Sequence, residues 1–139
     1  MALLAEKDYS FPGLISVSAG YRSFDLDQIA TNAADILVGT VMEKSVTDDE
    51  TSWIPWDGVA TTTLLGLNMK EIPAGTLGVG AEDRRTVLLT RDAEYAFEKV
   101  VYQSPFVPNA AEIEATEDRM RAQGIVWRKN DHDLQNGTT

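Results

Sequence analysis

The chain has 139 residues, is 43% hydrophobic, and carries a formal charge of -10 with a pI near 4.4. That length suits one domain with an appendage, and the lack of cysteine excludes disulfides, thiolate zinc sites and cysteine nucleophiles. The acidity, with Arg84-Arg85 and Arg128-Lys129 as the only adjacent basic pairs, disfavours nucleic acid and anionic membrane as partners.

The start, MALLAEKDYSF, lacks the basic beginning and long apolar region of a signal peptide. No apolar run approaches the roughly 20 residues of a membrane-spanning helix. Residues 1–30 mix Tyr9, Phe11, Tyr21 and Phe24 with Leu14, Ile15 and Val17, and hold neither a 3.6 nor a 2.0 period for long. Two readings stay open. The segment is an irregular piece packed on its own domain, or an arm that becomes ordered on a partner. On the second reading, Phe24 and Leu26 pack back on the domain.

From Asp35 the pattern turns to β-structure. Ile36 to Val38 and Thr40 to Met42 flank Gly39, which signals a bulge or a close backbone approach. Thr47 to Ser52 read as a polar loop, since the acidic cluster there lacks the glycine and distal glutamate of a calcium site. "SWIPWDGVATTTLLGLNM" follows. Trp53, Pro55 and Trp56 make a rigid apolar stretch, and Asp57-Gly58 predicts a tight turn. Thr61 to Met69 are rich in β-formers. The Gly-x-x-Gly-x-Gly order at 75–80 is not a dinucleotide fingerprint. Thr86 to Thr90 read as a strand, with a turn near Asp92-Ala93 and a second strand through Phe97. The alternative is a helix capped by Asp92. A single helical turn is expected near Glu98 to Gln103.

The clearest local signal is a helix after Asn109. Asn109 and Glu112 have the spacing of a capping box. Arg119 and Arg121 suit the negative end of the dipole. Glu117 and Arg121 form an i,i+4 pair, Ile113, Thr116 and Met120 share a face, and Gly124 stops the helix. Ile125 to Arg128 return as a strand. Residues 129–139 are a polar tail holding the only histidine, His132, a poor place for catalytic machinery.

In their order and spacing, "DILVGTVMEK", "IPWDGVATTTLLGL", "RRTVLLTRDAEYAFEKVVY" and "AAEIEATEDRMRAQGIVWR" resemble the lambda-type head decoration proteins of tailed bacteriophages, over residues 35–128. The resemblance implies a small α+β fold: a mixed, barrel-like β-domain at 31–128 with one main helix, preceded by an extended capsid-binding arm at 1–30. It implies a homotrimer on the outer surface of the virion. The trimer sits at three-fold positions over the major capsid protein, and the arm adds a strand to a capsid-protein loop. Tyr9, Phe11, Leu14, Ile15 and Val17 are the expected docking side chains. Trp53, Trp56, Asp57 and Gly58 are the expected structural or trimer residues, with Thr61 to Thr63 continuing a strand beside the contact. Both tryptophans equally fit the core of one monomer. No cofactor, metal, catalytic residue, nucleic acid or membrane is expected. Alternatives are another virion module, in the tail or baseplate, and a small enzyme pairing Asp57 with Glu71 or Asp92 with Glu94.

Overall fold

The strand signals resolve into two sheets rather than one. The structure, a computed structural model, describes residues 13–17, 23–30, 32, 34–44, 52–59, 63–74 and 85–129. Among them the elements are β1 (Leu14–Val17), β2 (Phe24–Gln28), β3 (Val41–Lys44), β4 (Trp53–Pro55), β5 (Leu65–Asn68), β6 (Arg85–Leu89), β7 (Ala93–Ala96), a 3-10 turn (Phe97–Lys99), α1 (Ala110–Ala122) and β8 (Ile125–Arg128). The larger sheet has the order β2-β6-β5-β3-β4 and is antiparallel throughout. The smaller has the order β1-β7-β8, with β7 and β8 parallel. A parallel neighbour needs a crossover, and α1 supplies it.

The expected barrel-like closure is corrected here. The larger sheet curls until its edge strands meet at one bridge, Ile29 to Trp53, with the Ala30 N–H donating to the Trp53 carbonyl at 3.0 Å. A barrel needs a continuous staggered ladder. One bridge does not supply it, and β7 leaves for the other sheet instead. The chain makes that change at Asp92, whose φ of 51° is in the left-handed region that aspartate tolerates. Ser23 Oγ donates to the Asp92 carbonyl at 2.8 Å and fixes the corner.

Curling buries both faces of the larger sheet. Val41, Leu65, Leu67 and Leu89 face Tyr95, Met120, Ile125 and Trp127 in the main core. The alternate positions Met42 and Leu88 join Ile29, Ile36, Trp53 and Ile72 in a second cluster. This double burial is why successive residues, Val41 to Glu43 on β3 and Leu65 to Asn68 on β5, are all buried.

The helix forms as its caps dictate. Asn109 Oδ1 accepts from the Glu112 N–H at 2.8 Å, and Glu112 Oε1 accepts from the Asn109 N–H at 2.9 Å. Thr116 and Met120 are fully buried, and Arg121 pairs with Glu117 at 3.2 Å. Gly124 ends the helix at φ 87°, where a Cβ would collide with the Asp92 carboxylate. Helix stop and sheet change are therefore packed into one corner.

Several local expectations need amendment. Thr63 is a bend, not a strand, and β5 begins at Leu65; Thr61 and Thr62 lie outside the described residues. The Asp92-capped helix does not form, since Ala93–Ala96 is β7. Ile36 makes only an isolated bridge to Ile72, and the run after Gly39 starts its strand at Val41. Leu26 is 70% exposed, whereas Phe24 packs on the core as expected. The described residues before position 31 are built into the domain: β1 pairs with β7, β2 pairs with β6, and Ile29 is fully buried.

Candidate functional site

The turn after β4 builds a groove with a volume of about 470 Å³. Ile54, Pro55, Trp56 and Asp57 form one wall, Gln103 to Phe106 the opposite wall, and Asn32 and Ala34 the end. Ser104-Pro105 is a cis peptide bond. Gly58 has φ 86°, and a Cβ there would lie 2.5 Å from Phe106 Cε1, so only glycine lets the two walls meet. Asp57 Oδ1 accepts from the Val59 N–H at 3.0 Å and braces the turn.

Trp56 anchors the groove from below. It is 4% exposed, meets Phe106 edge-on at 5.4 Å between ring centroids, and has the Arg119 guanidinium 5.7 Å from its own centroid. Arg119 also donates to the Thr63 carbonyl at 2.6 Å, and the Thr63 hydroxyl donates to Glu43 Oε1 at 3.0 Å. Glu43 sits 5% exposed on β3. Burial pushes its carboxyl above the usual range; the Thr63 hydrogen bond and the Arg119 charge oppose that, and Asp57 adds to it. Burial likewise lowers Arg119.

Elsewhere in the domain, Arg91 grips Asp25 in bidentate fashion at 2.8 and 3.2 Å, joining β2 to the β6–β7 corner. This contact, despite the opposing effect of burial, holds the Asp25 carboxyl below its ordinary value.

Glu43 and Asp25 therefore give opposite pH dependences. A carboxyl raised on folding binds its proton more tightly in the folded chain, so the Glu43 penalty fades as pH falls through its raised value towards 4.5. A carboxyl lowered on folding stabilises fully above its unfolded value and is lost as pH falls through the lower one. Glu43→Gln keeps the acceptor for Thr63 and removes the charge. Denaturant melts from pH 7 to pH 4.5 are expected to show the variant's advantage over the parent to be largest at pH 7 and to shrink on acidification. A constant difference would contradict this account of Glu43.

The residues singled out from the sequence divide clearly. Trp53 and Trp56 are 1% and 4% exposed within one chain. Their rings are core, and Trp53 Nε1 donates to Asp27 Oδ2 at 3.0 Å. Asp57 and Gly58 shape the groove. Leu14 is half-buried against the main core, while Ile15 and Val17 face outward. Tyr9 and Phe11 lie outside the described residues, as do the acidic loop at 47–51, the glycines at 75–80 and the tail from 130. Of the carboxylates considered for catalysis, Asp57 alone lines the groove. Glu94 is held by Arg128, which lowers its carboxyl. Among the described residues no group of three or more His, Asp or Glu is placed to hold a metal ion.

Two organising side chains carried no sequence signal. Gln123 Nε2 donates to the carbonyls of Leu65 at 2.7 Å and Thr90 at 2.8 Å, and its Oε1 accepts from the Leu65 N–H at 3.1 Å. Asn68 Nδ2 donates to Leu37 and Lys70 carbonyls at 3.0 and 2.6 Å, and its Oδ1 accepts from Thr86 at 2.7 Å.

No protein-family model matches the chain, and no curated protein is significantly similar to it.

Proposed function

We propose that this chain is a capsid decoration protein. It binds the major capsid protein on the outside of a tailed-phage head, as homotrimers at three-fold positions, and stabilises the shell against the pressure of packaged DNA. The resemblance over residues 35–128 motivates the reading, and the exposed edge strand β1 is the observation that carries it. Among the described residues β1 pairs only on its β7 side, and Ile15 and Val17 leave it 52% and 38% exposed. An edge with unpaired backbone groups and outward apolar side chains is what strand addition uses. Tyr9 and Phe11 lie just upstream in the sequence and extend the apolar character of the segment.

Three further arguments support the role. A ligand that binds only the assembled shell stabilises it by mass action. Three attachment segments on one trimer make the second and third contacts intramolecular. A charge of -10 suits a surface that faces solvent and touches no DNA.

The test uses a double substitution, Ile15→Lys with Val17→Lys, at positions exposed enough to leave the domain folded. The parent is expected to pellet with empty heads of the phage that encodes it. The variant is expected to stay in the supernatant while keeping the parent's circular dichroism spectrum and melting curve. Equal pelleting of the two would move the docking surface off β1.

A further inference from the structure

We propose that the groove beside the Trp56-Asp57-Gly58 turn binds an extended segment of a partner protein, one that presents an arginine or lysine next to apolar side chains. The inference is independent of the decoration reading and uses a different face from β1.

The geometry of β4 sets the class of occupant. β4 is an edge strand, and its outer side is paired by the Ile29 bridge at Trp53. Among the described residues no strand pairs with this side of β4 beyond that bridge, and Asn32 and Ala34 line the groove beside Pro55. A strand-like space is thus left along Pro55. The Trp56 N–H donates to the Val41 carbonyl at 3.0 Å, so Ile54, two residues before, also directs its backbone to β3, opposite Glu43. The Pro55 carbonyl therefore points to the free edge. Proline has no N–H to add, so this edge accepts and does not donate.

The side chains repeat that polarity. Asp57 is exposed, and one carboxylate oxygen is taken by the Val59 N–H; the other has no partner among the described residues. Gln103 gives its Nε2 to the Asp35 carbonyl at 3.2 Å, which leaves its amide oxygen as an acceptor. Asp57 is the one charged residue among those lining the groove, so the groove favours a positively charged occupant. Its apolar floor continues onto the surface. Gly58 lies against Phe106, and the residues that follow each of them, Val59 and Val107, are 77% and 83% exposed. The volume of about 470 Å³ takes a few side chains of an extended peptide.

The experiment records amide chemical shifts of the full chain while it is titrated with acetyl-Leu-Pro-Arg-Leu-amide. The controls are the same peptide with citrulline or glutamate in place of arginine. The arginine peptide is expected to shift Ile54, Asp57, Gln103 and Phe106 and to leave β1 unmoved. Asp57→Asn, which keeps an acceptor for the Val59 N–H, is expected to weaken it about tenfold, the loss of one charge-assisted hydrogen bond. Ala34→Trp, at an exposed position, is expected to block it. Absence of shifts with the arginine peptide, or equal shifts with the glutamate peptide, would overturn the proposal. So would a parent oligomer that Ala34→Trp dissociates, because the occupant would then be a second copy of this chain.

Discussion

Replacing Trp56 by alanine is expected to lower the unfolding free energy by about 3–5 kcal/mol, the usual cost of emptying a buried aromatic site. Trp56 joins the larger core cluster and carries Phe106 on one side and Arg119 on another. Removing the ring leaves a cavity under the groove and takes away the surface that holds the Arg119 guanidinium. Phe106 has little room to fill the gap, since Gly58 and Tyr102 already fix it, Tyr102 at 6.0 Å between ring centroids. Chemical denaturation followed by circular dichroism measures the loss. A variant as stable as the parent would mean that the ring is not part of the monomer core.

Removing Gln123 is expected to cost nearly as much, about 3 kcal/mol for Gln123→Ala. Its side chain replaces a missing strand partner: it pairs with both backbone groups of Leu65 and with the Thr90 carbonyl. Leu65 is fully buried, and each buried backbone group left without a partner costs about 1–3 kcal/mol. Gln123 is only half-buried, so water recovers part of the loss. Gln123→Glu separates shape from bonding. It retains the size and an acceptor for the Leu65 N–H, but sets a carboxylate against two carbonyls. A loss as large as that of alanine is expected, with faster hydrogen exchange at Leu65. If glutamate were tolerated and alanine not, the donations to the Leu65 and Thr90 carbonyls would not be what the side chain contributes.

What the sequence made legible was local. Asn109 and Glu112 bond across three positions, Glu117 and Arg121 across four, and Gly124 follows within the same stretch. The helix and its stop were readable for that reason. The Asp57-Gly58 turn and the strands around Leu67, Val87 and Tyr95 were readable in the same way. The division into two sheets was not, because it depends on which strands pair after the corner at Asp92. Gln123 bonds to a residue 58 positions away, and no period or motif announces such a contact. Leu26 illustrates the opposite error. An apolar side chain in a strand suggests burial, yet the pleat of β2 turns this one to solvent. The groove was half legible: its turn stands in the sequence, while its opposite wall comes from residues 103–106 and its end from 32 and 34.

Burial of both tryptophans changes where any assembly contact must lie. With 1% and 4% of Trp53 and Trp56 exposed, they support the fold and leave contact to what surrounds them. Among the described residues the exposed large apolar side chains are Ile15 and Val17 on β1, Leu26 on β2, Leu37, Leu64, and Val59 and Val107 at the rim of the groove. A trimer and a shell contact each need one such surface, and the β1 and groove experiments address two of them separately.

The measurement that tests the decoration reading most directly is cryo-electron microscopy of empty heads of the encoding phage, imaged with and without the added chain. The account predicts extra density at the local three-fold positions on the outer surface. It also predicts that each such feature contains three copies and that a strand from residues at or before β1 contacts the major capsid protein. Heads that bind no added chain, or density confined to the portal and tail, would contradict it.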